Sequence, residues 1–153
     1  MTVGLLNTRH AEQLKRESGI NKNIAIEAGV ISFDENDAKQ FIKIGGSGIA
    51  FPYHDTEENF LGYRVKQDNP KKDKNGKFAK YLAAKDSEAF IFFPLKRLPR
   101  ILSDSSLIII EGEKKLLKFL QEQNKNTFSS IALAGCWMYR KKDQGESELY
   151  SVL

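Results

Sequence analysis

The chain of 153 residues has little cysteine, histidine and proline, and no long apolar run. Its one cysteine, Cys136, excludes an internal disulfide framework, and two histidines, His10 and His54, are too few for a zinc-finger spacing. No apolar stretch approaches the roughly 20 residues that span a bilayer. The N-terminus also lacks the basic start, apolar centre and small-residue cleavage site of a secretory signal. These absences predict a reduced, cytoplasmic protein with no membrane association.

Apolar material is sufficient for one real core. Hydrophobic residues make up 41% of the chain, and they include 10 Phe, 5 Tyr and 1 Trp. A chain of this length buries roughly 70% of its unfolded surface when it folds. We therefore expect an ordered domain rather than a disordered chain.

Positive charge is concentrated in one segment, residues 63–80, which we call the basic segment. The chain carries a net charge of +4 from 24 basic and 20 acidic residues. The basic segment holds seven of the basic residues and two of the acidic ones, so it supplies the whole excess. Such a segment with neighbouring aromatic residues attracts phosphate groups; the alternative is a solvated, lysine-rich loop. The candidate phosphate-binding residues are Arg64, Lys66, Lys71, Lys72, Lys74, Lys77 and Lys80.

Hydrophobic patterning predicts an α+β fold with three regions. Residues 1–44 read as a small helical cap, with helices that begin near Asn7, Asn21 and Asp34 and depend on later segments for packing. Residues 45–100 read as a strand-rich basic module, with strands at 49–53 and 60–65. Residues 101–153 read as a strand, a helix and a strand, which predicts a parallel βαβ unit with a right-handed crossover.

The βαβ unit carries the candidate chemical residue. The apolar run 107–110, typical of a strand that is buried on both faces, ends at Glu111-Gly112-Glu113. Ligands of open parallel sheets meet the carboxyl ends of the strands, where Glu111 lies. A carboxylate there can bind Mg²⁺, act as a general base or cap the neighbouring helix. We interpret Glu111 as the chemical residue and Glu113 as the residue that starts the helix.

The run LIIIEGEKKLLKFLQ, followed by IALAGCW, resembles the start of a Toprim domain, the metal-dependent catalytic fold of DnaG-type primases and topoisomerases. The upstream stretch GIAFPYHDTEENFLGYRVKQDNP with AKYLAA resembles the basic subdomain that precedes Toprim in bacterial primases. Arg64, Asp68 and Pro70, with the Gly-x-Trp at 135–137, are closer to a poorly characterised family. Its members are primase- or helicase-associated proteins of phages, plasmids and other mobile elements.

The resemblance implies roles for particular residues. Glu111 matches the Toprim glutamate, a general acid/base or Mg²⁺-linked carboxylate. Arg64 and Lys80 match basic residues that face the incoming nucleotide or template in primases. The alternatives are a surface ion pair of Arg64 with Glu57 or Glu58, and a solvated Lys80. The implied function is primase-type nucleotidyl transfer on single-stranded DNA in the replication of a mobile element, with a replicative helicase as a possible partner.

One part of the Toprim pattern is missing. No Asp-x-Asp follows an apolar strand, and Glu146-Ser147-Glu148 reads as a surface loop. The sequence therefore predicts an incomplete Mg²⁺ site and a fragment that is inactive alone. The alternative function is a non-catalytic module that binds nucleic acid or recruits a helicase.

Two further motifs are interpreted as structural. Gly45-Gly46-Ser47-Gly48 lacks the Gly-Lys-Ser/Thr of a P-loop and reads as a flexible link. His10 falls on a helix without an evident acidic or thiol partner, and we expect it at the surface.

Overall fold

The computed structural model describes residues 4–43, 45–72, 75–85, 87, 91–123 and 128–135 in full, and the backbone of 140–143 and 146–149. These residues form a mixed α+β fold, as predicted. The helices are α1 (Thr8–Ser18), α2 (Lys22–Glu27), α3 (Glu35–Phe41), α4 (Leu98–Ser103, after a 3-10 turn at Leu95–Arg97) and α5 (Glu113–Glu122). The strands are β1 (Ile31–Phe33), β2 (Gly48–His54), β3 (Phe60–Gln67), β4 (Tyr81–Ala83), β5 (Ile91–Phe92), β6 (Leu107–Glu111), β7 (Ser129–Leu133), β8 (Arg140–Asp143) and β9 (Glu146–Leu149).

Helices α1 and α3 begin where capping chemistry predicts, whereas the Asn21 side chain makes no capping hydrogen bond at the start of α2. The Asn7 side chain accepts a hydrogen bond from the backbone N–H of His10 at 2.8 Å, and Gly19 ends α1 in the left-handed conformation at φ 63°. Asp34 forms a reciprocal capping box with Asp37 at the start of α3. The sequence did not predict β1, which lies between α2 and α3.

The first sheet is antiparallel, in the order β1-β2-β3-β4. β1 comes from the predicted helical cap and pairs with β2, so this sheet crosses the expected boundary between residues 44 and 45. At Gly48, strands β2 and β3 approach so closely that a Cβ atom there would lie 2.2 Å from the carbonyl oxygen of Lys66. The end of the predicted glycine-rich link is therefore a close strand contact that requires glycine.

The second sheet has the order β5-β7-β6. β6 and β7 are parallel and are joined by α5, which confirms the predicted βαβ unit. β7 is the central, buried strand, whereas β6 is an edge strand and Ile109 is 56% exposed. The expectation that 107–110 is covered on both faces is thus wrong within the described residues, because the face of β6 that carries Ile109 is exposed.

One hydrophobic core joins the cap, the first sheet and the βαβ unit. It contains Leu14 of α1, Phe51 of β2, Leu116 and Leu117 of α5, and Ala132 of β7. Gln121 of α5 also binds the turn between α1 and α2, through the N–H of Asn21 and the carbonyl of Gly19. The cap therefore packs on later segments, as predicted.

β8 and β9 pair as an antiparallel hairpin. The expected surface loop at 146–148 is wrong at the backbone level, since these residues belong to β9. Among the described residues, no helix is long and apolar enough to cross a membrane.

Candidate functional site

Glu111 lies at the C-terminal end of β6, as predicted. Gly112 follows at φ 87°, and its N–H donates to the carbonyl of Leu133 at 2.8 Å. The ends of β6 and β7 therefore meet at one edge of the sheet. The Glu111 side chain is 56% exposed, and its Oε2 lies 3.6 Å from the Nζ of Lys115.

Glu113 does more than start α5. Its side chain is 2% exposed and accepts two hydrogen bonds at Oε1, from the Tyr53 hydroxyl at 2.5 Å and from an Arg64 guanidinium nitrogen at 2.8 Å. The partner of Arg64 is thus Glu113, rather than the Glu57 or Glu58 considered from the sequence. This buried ion pair links β3 of the first sheet to the βαβ unit.

The Arg64 guanidinium is held on two sides. It pairs with Glu113, and its Cζ lies 4.5 Å from the centroid of the Tyr81 ring, a cation–π distance. Burial is the largest single influence and lowers the pKa of Arg64, but the charges and hydrogen bonds of Glu113 and Tyr53 together outweigh burial and raise this pKa. Burial and the Glu113 charge raise the pKa of Tyr81 to about 12. Arg64 stays charged, and its side chain remains 22% exposed.

These groups line a cavity of about 210 Å³, which we call the Arg64 cavity. Both Arg64 and Glu111 face it, so the structure brings the two main predicted site residues to one space. The lining residues are Arg64, Tyr81, Glu111, Gly112, Glu113, Lys114, Lys115 and Ala134.

Lysines add positive charge around this cavity. Lys66, on the same face of β3 as Arg64, binds Glu17 of α1 at 2.8 Å. Burial and the nearby Lys66 lower the pKa of Lys114, and Lys80 acts on it in the same direction. Lys66 and Lys80 therefore belong to the surroundings of the Arg64 cavity, and Lys114 is a cation that the sequence analysis did not select.

The remaining predicted lysines that the structure describes do not line this cavity. Lys71 and Lys72 line another cavity, of about 470 Å³, together with Lys39 of α3 and Gln67 of β3. Side chains alternate along a strand, so Gln67 and Arg64 point to opposite faces of the first sheet. Lys77 is exposed, and Lys74 lies outside the described residues. The basic segment thus supplies two separate surfaces rather than one.

The donor set at the Arg64 cavity does not by itself fit a Mg²⁺ ion. Mg²⁺ prefers about six oxygen ligands in near-octahedral geometry. Glu111 offers one carboxylate, whereas Glu113 is already bound to Arg64 and Tyr53. Across the residues whose side chains are described, no cluster of three His, Cys, Asp or Glu side chains could hold a metal ion.

His10 is buried, so the expectation of a surface histidine is wrong. It is 1% exposed, and its ring contacts the Ser32 hydroxyl at 2.7 Å and the Asp68 carboxylate at 3.0 Å. Asp68 also binds Arg9, and it accepts a hydrogen bond from the Ser47 hydroxyl at 2.8 Å. This network fixes the point where β3 ends and the lysine-rich part of the basic segment begins.

Sequence periodicity held the signal for Glu113. Leu116, Leu117 and Leu120 form the apolar stripe of α5, and Glu113 lies three, four and seven residues before them. An acid on a buried helical stripe needs a buried partner. That reasoning predicts a cation opposite Glu113, although the sequence alone does not identify it as Arg64.

Comparison with known proteins supports the fold. No family model and no curated protein sequence matches the chain. The structure of the DnaG primase catalytic domain bound to single-stranded DNA is similar with a TM-score of 0.56 at 14% identity, over 89% of this chain and 48% of that one. The primase fragment of the bacteriophage T7 primase-helicase protein gives a TM-score of 0.45 at 18% identity, over 77% and 41%. The chain therefore has a primase-like fold and spans about half the length of the DnaG domain.

Proposed function

We propose that this chain is part of a primase-type protein of DNA replication, and that the Arg64 cavity binds a phosphate group of single-stranded DNA or of a nucleotide. The observation that carries the proposal is the fixed guanidinium of Arg64 beside Lys114 and the strand-end Glu111. The primase-like fold supports it, and the DnaG neighbour was solved with single-stranded DNA bound.

The geometry of Arg64 suits phosphate recognition. A guanidinium carries five N–H donors in a planar fork that matches phosphate oxygens. Glu113 and Tyr81 fix the plane of this fork, so less rotamer entropy is lost when a phosphate binds. Lys114 adds a point charge from the first turn of α5. A phosphate that enters the cavity would meet the oriented cation Arg64 and the adaptable cations Lys114 and Lys115.

A catalytic role for Glu111 is part of the proposal. The sequence resemblance to Toprim domains implies that this position is a general acid/base or a Mg²⁺-linked carboxylate. Its exposure at the strand end, beside phosphate-binding cations, supports that assignment. The described donors do not complete a site for Mg²⁺.

The alternative is a module that binds nucleic acid, or recruits a helicase, without turnover. The pairing of Glu113 with Arg64 favours it, since this pairing uses the second carboxylate at the sheet edge for structure. Both functions use the Arg64 cavity for phosphate, and they differ in the role of Glu111.

Binding is tested with fluorescently labelled single-stranded DNA. Arg64→Lys keeps the charge but loses the planar fork, and we expect about tenfold weaker binding. Lys114→Ala removes the half-buried ammonium without breaking an ion pair recorded among the described residues, and we expect a similar loss. Anisotropy measures both, and competition with unlabelled nucleoside triphosphate separates strand from nucleotide binding.

Arg16→Lys and Lys15→Ala are the matched controls, because these side chains are exposed on α1 and do not line the Arg64 cavity. Both controls should bind like the wild type. Wild-type affinity in Arg64→Lys and Lys114→Ala would contradict the proposed site.

Glu111→Gln separates the two functions. Primer synthesis is measured with Mg²⁺ and a single-stranded template, alongside DNA binding. Synthesis that is lost in Glu111→Gln while binding persists supports the enzymatic role. Synthesis that survives the substitution contradicts a catalytic Glu111, and wild-type protein that binds DNA without synthesis supports the alternative.

A further inference from the structure

A different cavity lies at the opposite end of the second sheet. It measures about 160 Å³ and is formed by the 3-10 turn, α4, the end of α5 and the start of β7. β7 begins here at Ser129 and ends near the Arg64 cavity at Leu133, so the full length of the strand separates the two. Its lining residues are Lys96, Arg97, Arg100, Ile101, Leu120, Phe128, Ser129 and Ser130.

Ser130 is the unexplained group in this cavity. The residue is 2% exposed, and its Oγ has no hydrogen-bond partner in the described part of the chain. A buried hydroxyl without a partner is destabilising, because the hydrogen bonds that it made to water in the unfolded chain are not replaced. Neighbouring Ser129 is satisfied, because its hydroxyl donates to Asp104 at 2.5 Å. The unused hydroxyl of Ser130 therefore indicates a ligand that supplies an acceptor.

The charge around Ser130 specifies an anion. Lys96, Arg97 and Arg100 all line the cavity. Carboxylates hold the two arginines in place, since Arg97 binds Glu27 at 3.0 Å and Arg100 binds Asp104 at 3.1 Å. Among the described residues, Lys96 is the cation of this cavity that no recorded ion pair neutralises.

We propose that this cavity is a second anion site that binds a phosphate group through Lys96 and the Ser130 hydroxyl, in the field of Arg97 and Arg100. Its volume is below the roughly 300–1,000 Å³ of pockets that enclose a whole small molecule, so it fits the phosphate and not a nucleoside. Phe128 stands at the rim with 51% of its surface exposed and offers a ring on which a base can stack. The phosphate therefore belongs to a mononucleotide or to a nucleic-acid strand.

Calorimetry with inorganic phosphate and pyrophosphate tests the site in the Lys114→Ala background, which weakens the Arg64 cavity. Lys96→Ala should bind pyrophosphate about tenfold more weakly, and Ser130→Ala about fivefold. Lys15→Ala and Ser103→Ala are the matched controls, because Lys15 is exposed on α1 and Ser103 donates to the backbone of α4 outside the cavity. The proposal is overturned if pyrophosphate does not bind in the Lys114→Ala background, or if it binds equally to all four variants.

A stability measurement gives an independent readout. Without anion, Ser130→Ala should unfold at the wild-type midpoint or above it, since the substitution removes an unsatisfied hydroxyl. With pyrophosphate, the midpoint should rise in the wild type and much less in Ser130→Ala. A Ser130→Ala protein that is less stable without anion would show that this hydroxyl is already satisfied, which also overturns the site.

Two further ligands identify the source of the phosphate. A mononucleotide that competes with pyrophosphate in the wild type, but not in Lys96→Ala, points to a mononucleotide. Tighter binding of a 5′-phosphorylated oligonucleotide than of its 5′-hydroxyl counterpart, with the difference lost in Lys96→Ala, points to a strand end. If neither ligand depends on Lys96, the assignment to a phosphate of nucleic-acid chemistry is wrong.

Discussion

The two faces of the first sheet use basic residues in different ways. On the face toward α5, Arg64 and Lys66 are each bound to a carboxylate, Glu113 and Glu17 respectively. On the face toward α3, Lys71 and Lys72 line a wider cavity from an exposed loop, and the Nζ of Lys72 lies 5.5 Å from the centroid of the Phe78 ring. One face has oriented cations, and the other has exposed cations on flexible stems.

The two faces are therefore suited to different roles in phosphate binding. An oriented guanidinium selects the position and angle of a phosphate, whereas exposed lysines contribute a salt-dependent, non-directional attraction. The basic segment supplies both faces because β3 alternates its side chains and then continues into the loop. Local charge counting finds the segment but cannot divide it between the two faces.

The substitution expected to disturb the face toward α5 most is Glu113→Gln. It leaves a partly buried Arg64 without its counter-charge, and we expect the free energy of unfolding to fall by about 3 kcal/mol. Glu111→Gln, two residues earlier, is the matched control, since an exposed side chain should change stability by less than about 0.5 kcal/mol. Urea denaturation measures both variants. Equal stability of the two would show that the Glu113–Arg64 pair does not organise this face.

The loop face is tested by reversing charge at Lys71 and Lys72. We expect single-stranded DNA to bind about tenfold more weakly. The slope of the logarithm of the binding constant against the logarithm of the salt concentration should decrease in magnitude by about 0.7 for each phosphate contact that is lost. Arg64→Lys should instead weaken binding at nearly constant salt dependence, because it keeps the charge. Anisotropy titrations at several salt concentrations distinguish the two outcomes.

Reversal at Lys15 and Arg16, which changes the net charge equally on α1, is the control for the loop variant. If this control weakens binding as much as reversal at Lys71 and Lys72, the loop face has no specific role. If the salt dependence of DNA binding also falls in Arg64→Lys, the proposed difference between the two faces is wrong.

Local patterns were sufficient for much of the fold. The caps of α1 and α3, and the strand, helix and strand from β6 to β7, follow from capping residues and apolar periodicity. Long-range pairing was not accessible in the same way. The three residues of β1 are too few for a periodic pattern, and the edge position of β6 depends on which strands pair with it.

Long-range contacts also limited how much of the candidate site could be predicted from the sequence. The position of Glu111 at a strand end follows from local sequence, but its neighbours Arg64 and Tyr81 come from another sheet. Glu113 and His10 each lie on a buried helical stripe, so their burial could be inferred, whereas their partners are 49 and 58 residues away. Sequence can show that a buried polar group needs a partner before it can show which residue that partner is.

The smallest expected effect is the pH dependence of stability that His10 causes. Its partner Asp68 lies where β3 ends and the loop begins. The pKa of His10 is lowered, because burial outweighs the favourable Asp68 charge, and Arg9 and Lys66 act in the same direction as burial. A histidine with a lowered folded-state pKa contributes stability above its ordinary pKa of 6.5, and this stability is lost as the pH falls below that value. The ring lies in a polar network, since Nδ1 is 2.7 Å from the Ser32 hydroxyl and Nε2 is 3.0 Å from the Asp68 carboxylate and 2.8 Å from an Arg9 guanidinium nitrogen.

Denaturation at pH 7.5 and pH 5.5 should therefore show lower stability at the acidic value in the wild type. His10→Gln, which cannot take up a proton, should be less stable at pH 7.5 but depend less on pH. His54 also has a pKa lowered by burial, so some dependence should remain in His10→Gln and disappear when both histidines are replaced. If His10→Gln keeps the full wild-type dependence, this histidine does not couple α1 to the start of the loop through its protonation state.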